Sequence, residues 1–169
     1  MLFGCIEDAV WIRPLGRGSF ETSPYLKRLA DRWIVEGKRL FVVDLEECPV
    51  MDSTFMGTLL GIATRLMDRG GQVGIVSLNE RNLRLLRNLG LDAVLVVDAD
   101  GVLWPELRRL AAESLRCWQA ERENLPCRQE KAEVMLEAHE ALVELGEQNA
   151  ARFQDVIEFL RADVKPRQG

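Results

Sequence analysis

The stretch Val43-Asp44-Leu45-Glu46-Glu47-Cys48-Pro49-Val50-Met51-Asp52-Ser53-Thr54-Phe55-Met56-Gly57 decides how this chain folds. An apolar, β-branched run over residues 40–45 ends in an acidic, proline-containing turn, the pattern of a buried strand that stops. Asp52, Ser53 and Thr54 then offer three successive N-cap residue types, and Asp52 or Ser53 is expected to cap a helix over residues 53–69. Gly70-Gly71 closes that helix; a second apolar run follows at 73–78, a helical segment at 80–88, Gly90, and a last run at 94–97. Strand, helix, strand, helix, strand in this order predicts parallel, right-handed crossovers. Upstream lie a strand at 9–13 and a helix at 23–36 closed by Gly37, with residues 2–6 as a less definite fifth strand. The fold class is therefore α/β, a sheet of four to five strands with helices.

The helix from Ser53 separates into two faces at 100° per residue. Phe55, Met56, Leu59, Leu60, Ile62, Ala63, Leu66 and Met67 form the apolar side. Opposite runs a stripe of Thr54, Gly57, Thr58, Gly61, Thr64, Arg65 and Asp68. Two glycines inside a helix cost roughly 1 kcal/mol each relative to alanine, so something is expected to approach this stripe closely. Either a neighbouring helix of the same domain or a docked partner accounts for that room.

Length and composition fit one globular domain with an extension: 169 residues, 47% apolar and 29% charged. The 22 Lys+Arg against 27 Asp+Glu leave a net charge of −5, which argues against nucleic acid as a partner. The apolar runs are far shorter than the roughly 20 residues that span a bilayer, and residues 1–6 lack a basic start, so direct membrane insertion is not expected and a cytoplasmic address is. Cys5, Cys48, Cys117 and Cys127 are scattered, without a CxxC pair and with His139 as the single histidine; reduced thiols and no metal site are expected.

The loop before Ser53 lies beyond the carboxyl end of a strand, where open α/β sheets gather their ligands and chemistry. Free N–H groups at the helix start favour an added anion, so a phosphate on Ser53 would be tolerated by the helix dipole. Beside Asp52 it would add nearly two negative charges and repel an acidic or closely packed partner, which is the physics of a switch.

These residues resemble a known family. Asp44-Leu45 followed by Met51-Asp52-Ser53-Thr54-Phe55-Met56-Gly57, then Gly70-Gly71-Gln72-Val73, and Leu83 to Leu86 before Leu89-Gly90-Leu91, resembles the STAS domain of bacterial anti-sigma factor antagonists, over about residues 1–104. The resemblance implies a STAS-like mixed sheet and a role in transcription regulation by partner switching. In that family the serine after the aspartate is phosphorylated by a GHKL-type serine kinase that is also the anti-sigma factor. The unmodified antagonist binds the kinase and frees the sigma factor, and a serine phosphatase reverses the modification. Carried over by position, Ser53 is the phosphoacceptor, Asp52 and Thr54 flank it, and Gly57 is the second helix glycine of the motif. Ser19 and Glu21 in the loop after the second strand, with Thr58 and Gly61 on the helix, become candidate partner-binding residues.

Two positions depart from the family pattern. Phe55 stands where many members carry the first glycine, placing an aromatic group in the first turn. Ser19 stands where sporulation-type members often have an aspartate that supports the kinase interaction. The loop Arg17-Gly18-Ser19-Phe20-Glu21-Thr22-Ser23-Pro24 is polar and suits a surface contact; equally it reads as a plain connection with a helix cap at Thr22 or Ser23.

Beyond Asp98-Ala99-Asp100-Gly101 the resemblance fades. Leu103, Leu107, Leu110, Ala111, Ser114 and Trp118 follow a helical face that closes the domain, taken to residue 123, with Trp104-Pro105 in its first turn. The extension, residues 124–169, follows Asn124-Leu125-Pro126 and predicts one long helix over about 128–161. Its apolar strip is Met135, Ala138, Leu142, Leu145, Asn149, Phe153, Val156 and Leu160, with one 4-4 step. Such a helix either packs back on its own domain or pairs with a partner helix or a second copy, giving a homodimer. His139 lies beside the strip and is expected to cover it.

An enzyme is not expected. Ser53 is the attractive nucleophile, yet the one histidine lies in the extension and the stretch is not a GxSxG elbow. Gly16-Arg17-Gly18 lacks both the Walker lysine and the full dinucleotide spacing, so no cofactor is expected. The competing reading is a constitutive binding subunit of a membrane transporter or signalling scaffold.

Overall fold

The structure, a computed structural model, describes residues 1–117 and 125–164. Strands β1 (Leu2–Ile6), β2 (Ala9–Arg13), β3 (Leu40–Asp44), β4 (Gln72–Val76) and β5 (Val96–Asp98) form a mixed sheet. A two-residue strand, β6 (Arg116–Cys117), is added at its outer edge, giving the order β5-β4-β3-β2-β1-β6. Strands β2 to β5 pair in parallel, joined through α1 (Ser23–Val35), α2 (Ser53–Met67) and α3 (Glu80–Asn88). The β1–β2 hairpin and β6 are antiparallel. The less definite strand at residues 2–6 is thus present, whereas β6 has too short a run to carry a strand period.

Alternation along the strands divides the core between two faces. Val10, Ile12, Phe41, Val43, Val73 and Ile75 point to α1, α2 and α3. Trp11, Val42 and Val76 point to the other side, where Ala111 of α4 (Pro105–Ser114) covers them with Trp104 just before it. Gly74 belongs to this second face: a Cβ there would lie 2.2 Å from the Trp104 ring. Gly74→Val is therefore expected to push Trp104 out and destabilise the chain by about 1–3 kcal/mol, measurable by urea unfolding. Leu103, expected on this helical face, precedes α4 and is exposed, while Trp118 lies outside the described residues.

The extension differs from its expected form. In place of one helix it makes a hairpin of α5 (Arg128–Glu144) and α6 (Glu147–Val164). Gly146, with φ of 148°, makes the turn, and its carbonyl accepts from the backbone N–H groups of Asn149 and Ala150. The 4-4 step Leu145–Asn149–Phe153 spans this break. Because α6 restarts the phase, Ile157 is buried and Val156 is exposed, one residue from the expected strip. The hairpin packs back on its own domain, α5 lying along α2, with Leu142 and Phe153 joining the main core. Asn149, the polar member of the strip, is buried and donates from Nδ2 to the carbonyls of Leu89 (3.0 Å) and Leu142 (2.9 Å). Ion pairs Arg28–Glu130 and Lys27–Glu137 tie α5 to α1.

Candidate functional site

The loop between β3 and α2 is held on three sides. Asp52 is the N-cap of α2: Oδ1 accepts from the Phe55 N–H (2.9 Å), while Oδ2 accepts from the Phe20 N–H (2.9 Å) of the neighbouring loop. The two loops also pair through the Gly16 N–H with Glu47 O, the Gly18 N–H with Val50 O, and the Asp52 N–H with Gly18 O. On the far side, Asn82 donates to Cys48 O (2.9 Å) and Asn79, the N-cap of α3, donates to Pro49 O (3.1 Å). Burial raises the pKa of the Cys48 thiol within this loop. The two asparagines escaped the sequence reading, although Asn79 before a helical run is itself an N-cap signal.

Phe55 turns inward. It is fully buried, and a Cβ on Gly18 would meet its ring at 2.7 Å, so the aromatic group that departs from the family pattern fills space beneath the loop instead of facing a partner. Ser19 is half-buried, and its carbonyl accepts from the Thr22 N–H, the Ser23 N–H and the Ser23 hydroxyl (2.8 Å). Thr22 occupies the N-cap position of α1, yet its hydroxyl serves the loop, accepting from the Ser19 N–H (2.8 Å). Glu21 is exposed.

At the carboxyl end of β3, Asp44 is 0% exposed. It accepts from Trp11 Nε1 (3.2 Å), from Arg13 Nε (3.0 Å) and from Arg13 Nη2 (2.6 Å), and Arg13 also reaches Glu46 at 2.9 Å. Burial pushes its carboxyl up. Hydrogen bonds from Ser77, Arg13 and the Glu46 N–H, with the Arg13 charge, more than offset that and hold its pKa below the ordinary value. This buried ion pair fixes the strand end from which the loop departs.

Ser53 is the first residue of α2 and is half-buried. Its Oγ lies 3.0 Å from Nε2 of His139 on α5, a partner the sequence reading dismissed because the histidine sits in the extension. Nδ1 of His139 is 2.7 Å from the Met135 carbonyl, which can only accept; Nδ1 therefore carries a proton, and in the neutral ring Nε2 accepts from the Ser53 hydroxyl. The ring is 3% exposed and meets Phe153 edge-on at 5.2 Å. Beside this pair the helices touch backbone to backbone: a Cβ on Gly57 would lie 2.2 Å from Ala138 O. The expected close approach to the stripe is made by a helix of the same chain. It buries Thr54 and Thr58, whereas Met67, expected on the apolar face, is 56% exposed at the helix end. Gly61 has open space and lines a cavity of about 240 Å³ between α1, α2 and α5, with Lys27, Asp31, Arg65 and Val134.

The model of the STAS domain family matches residues 5–103, more than half of the chain. The chain belongs to the STAS domain family. Its C-terminal hairpin lies wholly outside the matched STAS residues. Among solved structures, the Thermotoga maritima protein TM1081, assigned as an anti-sigma factor antagonist, is 24% identical with a TM-score of 0.56 over 63% of this chain and 93% of its own. The unphosphorylated form of the anti-sigma factor antagonist SpoIIAA is 18% identical with a TM-score of 0.50, over 59% of this chain and 86% of its own. At these identities the likeness concerns the STAS fold. No curated protein matches the chain significantly. Among the described residues, no helix is long and apolar enough to cross a membrane.

Proposed function

We propose that this STAS protein is a phosphorylation-switched regulator, an anti-sigma factor antagonist that acts in the cytoplasm and binds a GHKL-type serine kinase while Ser53 is unmodified. The observation that carries this reading is the place of Ser53: one residue after an N-cap aspartate, at the amino end of α2, in a loop pinned by Asp52, Asn79 and Asn82. The free N–H groups of the first turn accommodate an added phosphate, while its charge beside Asp52 drives off a docked partner. A serine phosphatase resets the switch. Ser19 and Glu21 on the adjoining loop and half-buried Gly61 on α2 belong to the docking face, whereas Thr58, expected there, lies buried beneath α5. Both named structural neighbours, TM1081 and SpoIIAA, are described as antagonists of this kind.

The test is incubation of the full chain with ATP and a GHKL-type kinase from its source. One phosphate on Ser53, with loss of kinase co-precipitation, is the expected result, and Ser53→Ala should stay bound and unmodified. Equal co-precipitation of modified and unmodified chains would leave a constitutive binding subunit as the better description.

A further inference from the structure

The face of α2 beside Ser53 is already occupied by part of the same polypeptide. We propose that the α5–α6 hairpin is an internal cover for this face, latched by the His139–Ser53 hydrogen bond, and that a phosphate on Ser53 releases it. The inference rests on the functional reading above, since it concerns access to the same hydroxyl.

Three observations lead there. First, the hairpin is an addition: the family match ends at residue 103, and the part of this chain that aligns with TM1081 accounts for 93% of that protein. A STAS domain is complete without these helices, so their contact with α2 is not a requirement of the fold. Second, the cover is seated on the residues that flank Ser53. Ala138 O meets the Gly57 backbone, and Thr54 and Thr58 are buried, Thr58 lining a cavity together with Val134, Glu137 and Ala138 of α5. A kinase therefore reaches half-buried Ser53 from the side of the Ser19–Glu21 loop, since α5 closes the approach along α2. Third, the latch uses the hydroxyl itself. With Oγ 3.0 Å from Nε2 of a nearly buried imidazole whose Nδ1 proton is committed to Met135 O, phosphorylation removes the proton that Ser53 donates and sets anionic oxygens against an acceptor nitrogen.

Buried Leu142 and Phe153 and the Asn149 hydrogen bonds hold the closed form as the resting state. The ion pairs Lys27–Glu137 and Arg28–Glu130 lie at its rim, partly exposed and open to water. A ligand or modification shifts such an equilibrium only by favouring one state over the other. Phosphate does so by removing the donor proton of the latch and adding charge beside it, both of which disfavour the closed form.

The experiment reads the cover without a kinase. Thr58→Cys places a thiol under α5, and its labelling by a maleimide is followed by peptide mass spectrometry in the full chain. Buried Cys48 on the same domain and exposed Cys127 supply the slow and fast references. In the parent background Cys48-like protection is expected at position 58. His139→Ala and Ser53→Glu should each raise labelling there by on the order of tenfold, while Cys48 stays protected and reports an intact domain. His139→Gln, which keeps an acceptor for Ser53, should label more slowly than His139→Ala. Labelling at position 58 as fast as at Cys127 in the parent background would overturn the cover. An unchanged rate in Ser53→Glu would overturn release by phosphate. A protected site 58 that opens in Ser53→Glu, in a chain that no GHKL kinase modifies, would count against the proposed function and leave the cover standing.

Discussion

Gly57→Ala is expected to destabilise the protein by about 3 kcal/mol, while Gly61→Ala, one helical turn away, stabilises it by about 0.5–1 kcal/mol. Helix propensity alone predicts the same sign for both, because alanine is the better helix former by about 1 kcal/mol. The surroundings reverse it at one position only. A Cβ on Gly57 would lie 2.2 Å from a main-chain carbonyl of α5, which cannot rotate away as a side chain would, so the two helices must separate. A Cβ on Gly61 meets nothing within 4 Å and extends into the cavity between α1, α2 and α5. Urea unfolding of the two variants measures the difference. Amide exchange should place the Gly57→Ala damage in α5 and α6, leaving the sheet protected; equal effects of the two substitutions would show that α5 is not seated on Gly57.

Arg13→Met is expected to cost about 3–5 kcal/mol, since it strands the buried carboxylate of Asp44 with only neutral donors. Desolvation is the largest influence on this group, and in the parent chain it is offset by Ser77, Arg13 and the Glu46 N–H, leaving the folded-state pKa below the unfolded value. A carboxylate depressed in the folded state contributes stability that is present above its unfolded pKa, about 3.9, and lost as pH falls through the folded value. The parent should therefore hold this contribution at neutral pH and lose it only below about pH 4. Without Arg13 the desolvation is less well offset, so the variant should lose stability at a higher pH than the parent. Urea unfolding between pH 3 and pH 7 checks both. Adding Asp44→Asn to Arg13→Met should recover part of the loss, because the neutral amide still accepts from Trp11 and needs no counter-charge. A double variant no more stable than the single one would show that packing, not the stranded charge, sets the cost.

Much of the α/β layer was legible along the chain because its signals are local. The β-branched runs ended within a few residues of where the strands end, and Asp52 capped α2 as one of the two residues expected to do so. The motif around Ser53 was likewise continuous in sequence, and it led to the family that the match over residues 5–103 establishes. The long apolar period of the extension predicts one helix, but a period gives no direction for the chain to turn. Gly146 and the phase step beside it were the visible traces of the hairpin.

By itself the sequence determined which segments become strand or helix, where α2 begins, and that its glycine stripe needs a close neighbour, since each follows from propensity, period and capping over a few residues. Only the tertiary structure decided what that neighbour is. The meeting of Ser53 with His139, of Gly57 with Ala138, and of Trp11 and Arg13 with Asp44 joins residues many positions apart. Their contact depends on which way the hairpin folds back and which strands become neighbours. Burial of the whole apolar surface sets those choices, and no local pattern encodes them.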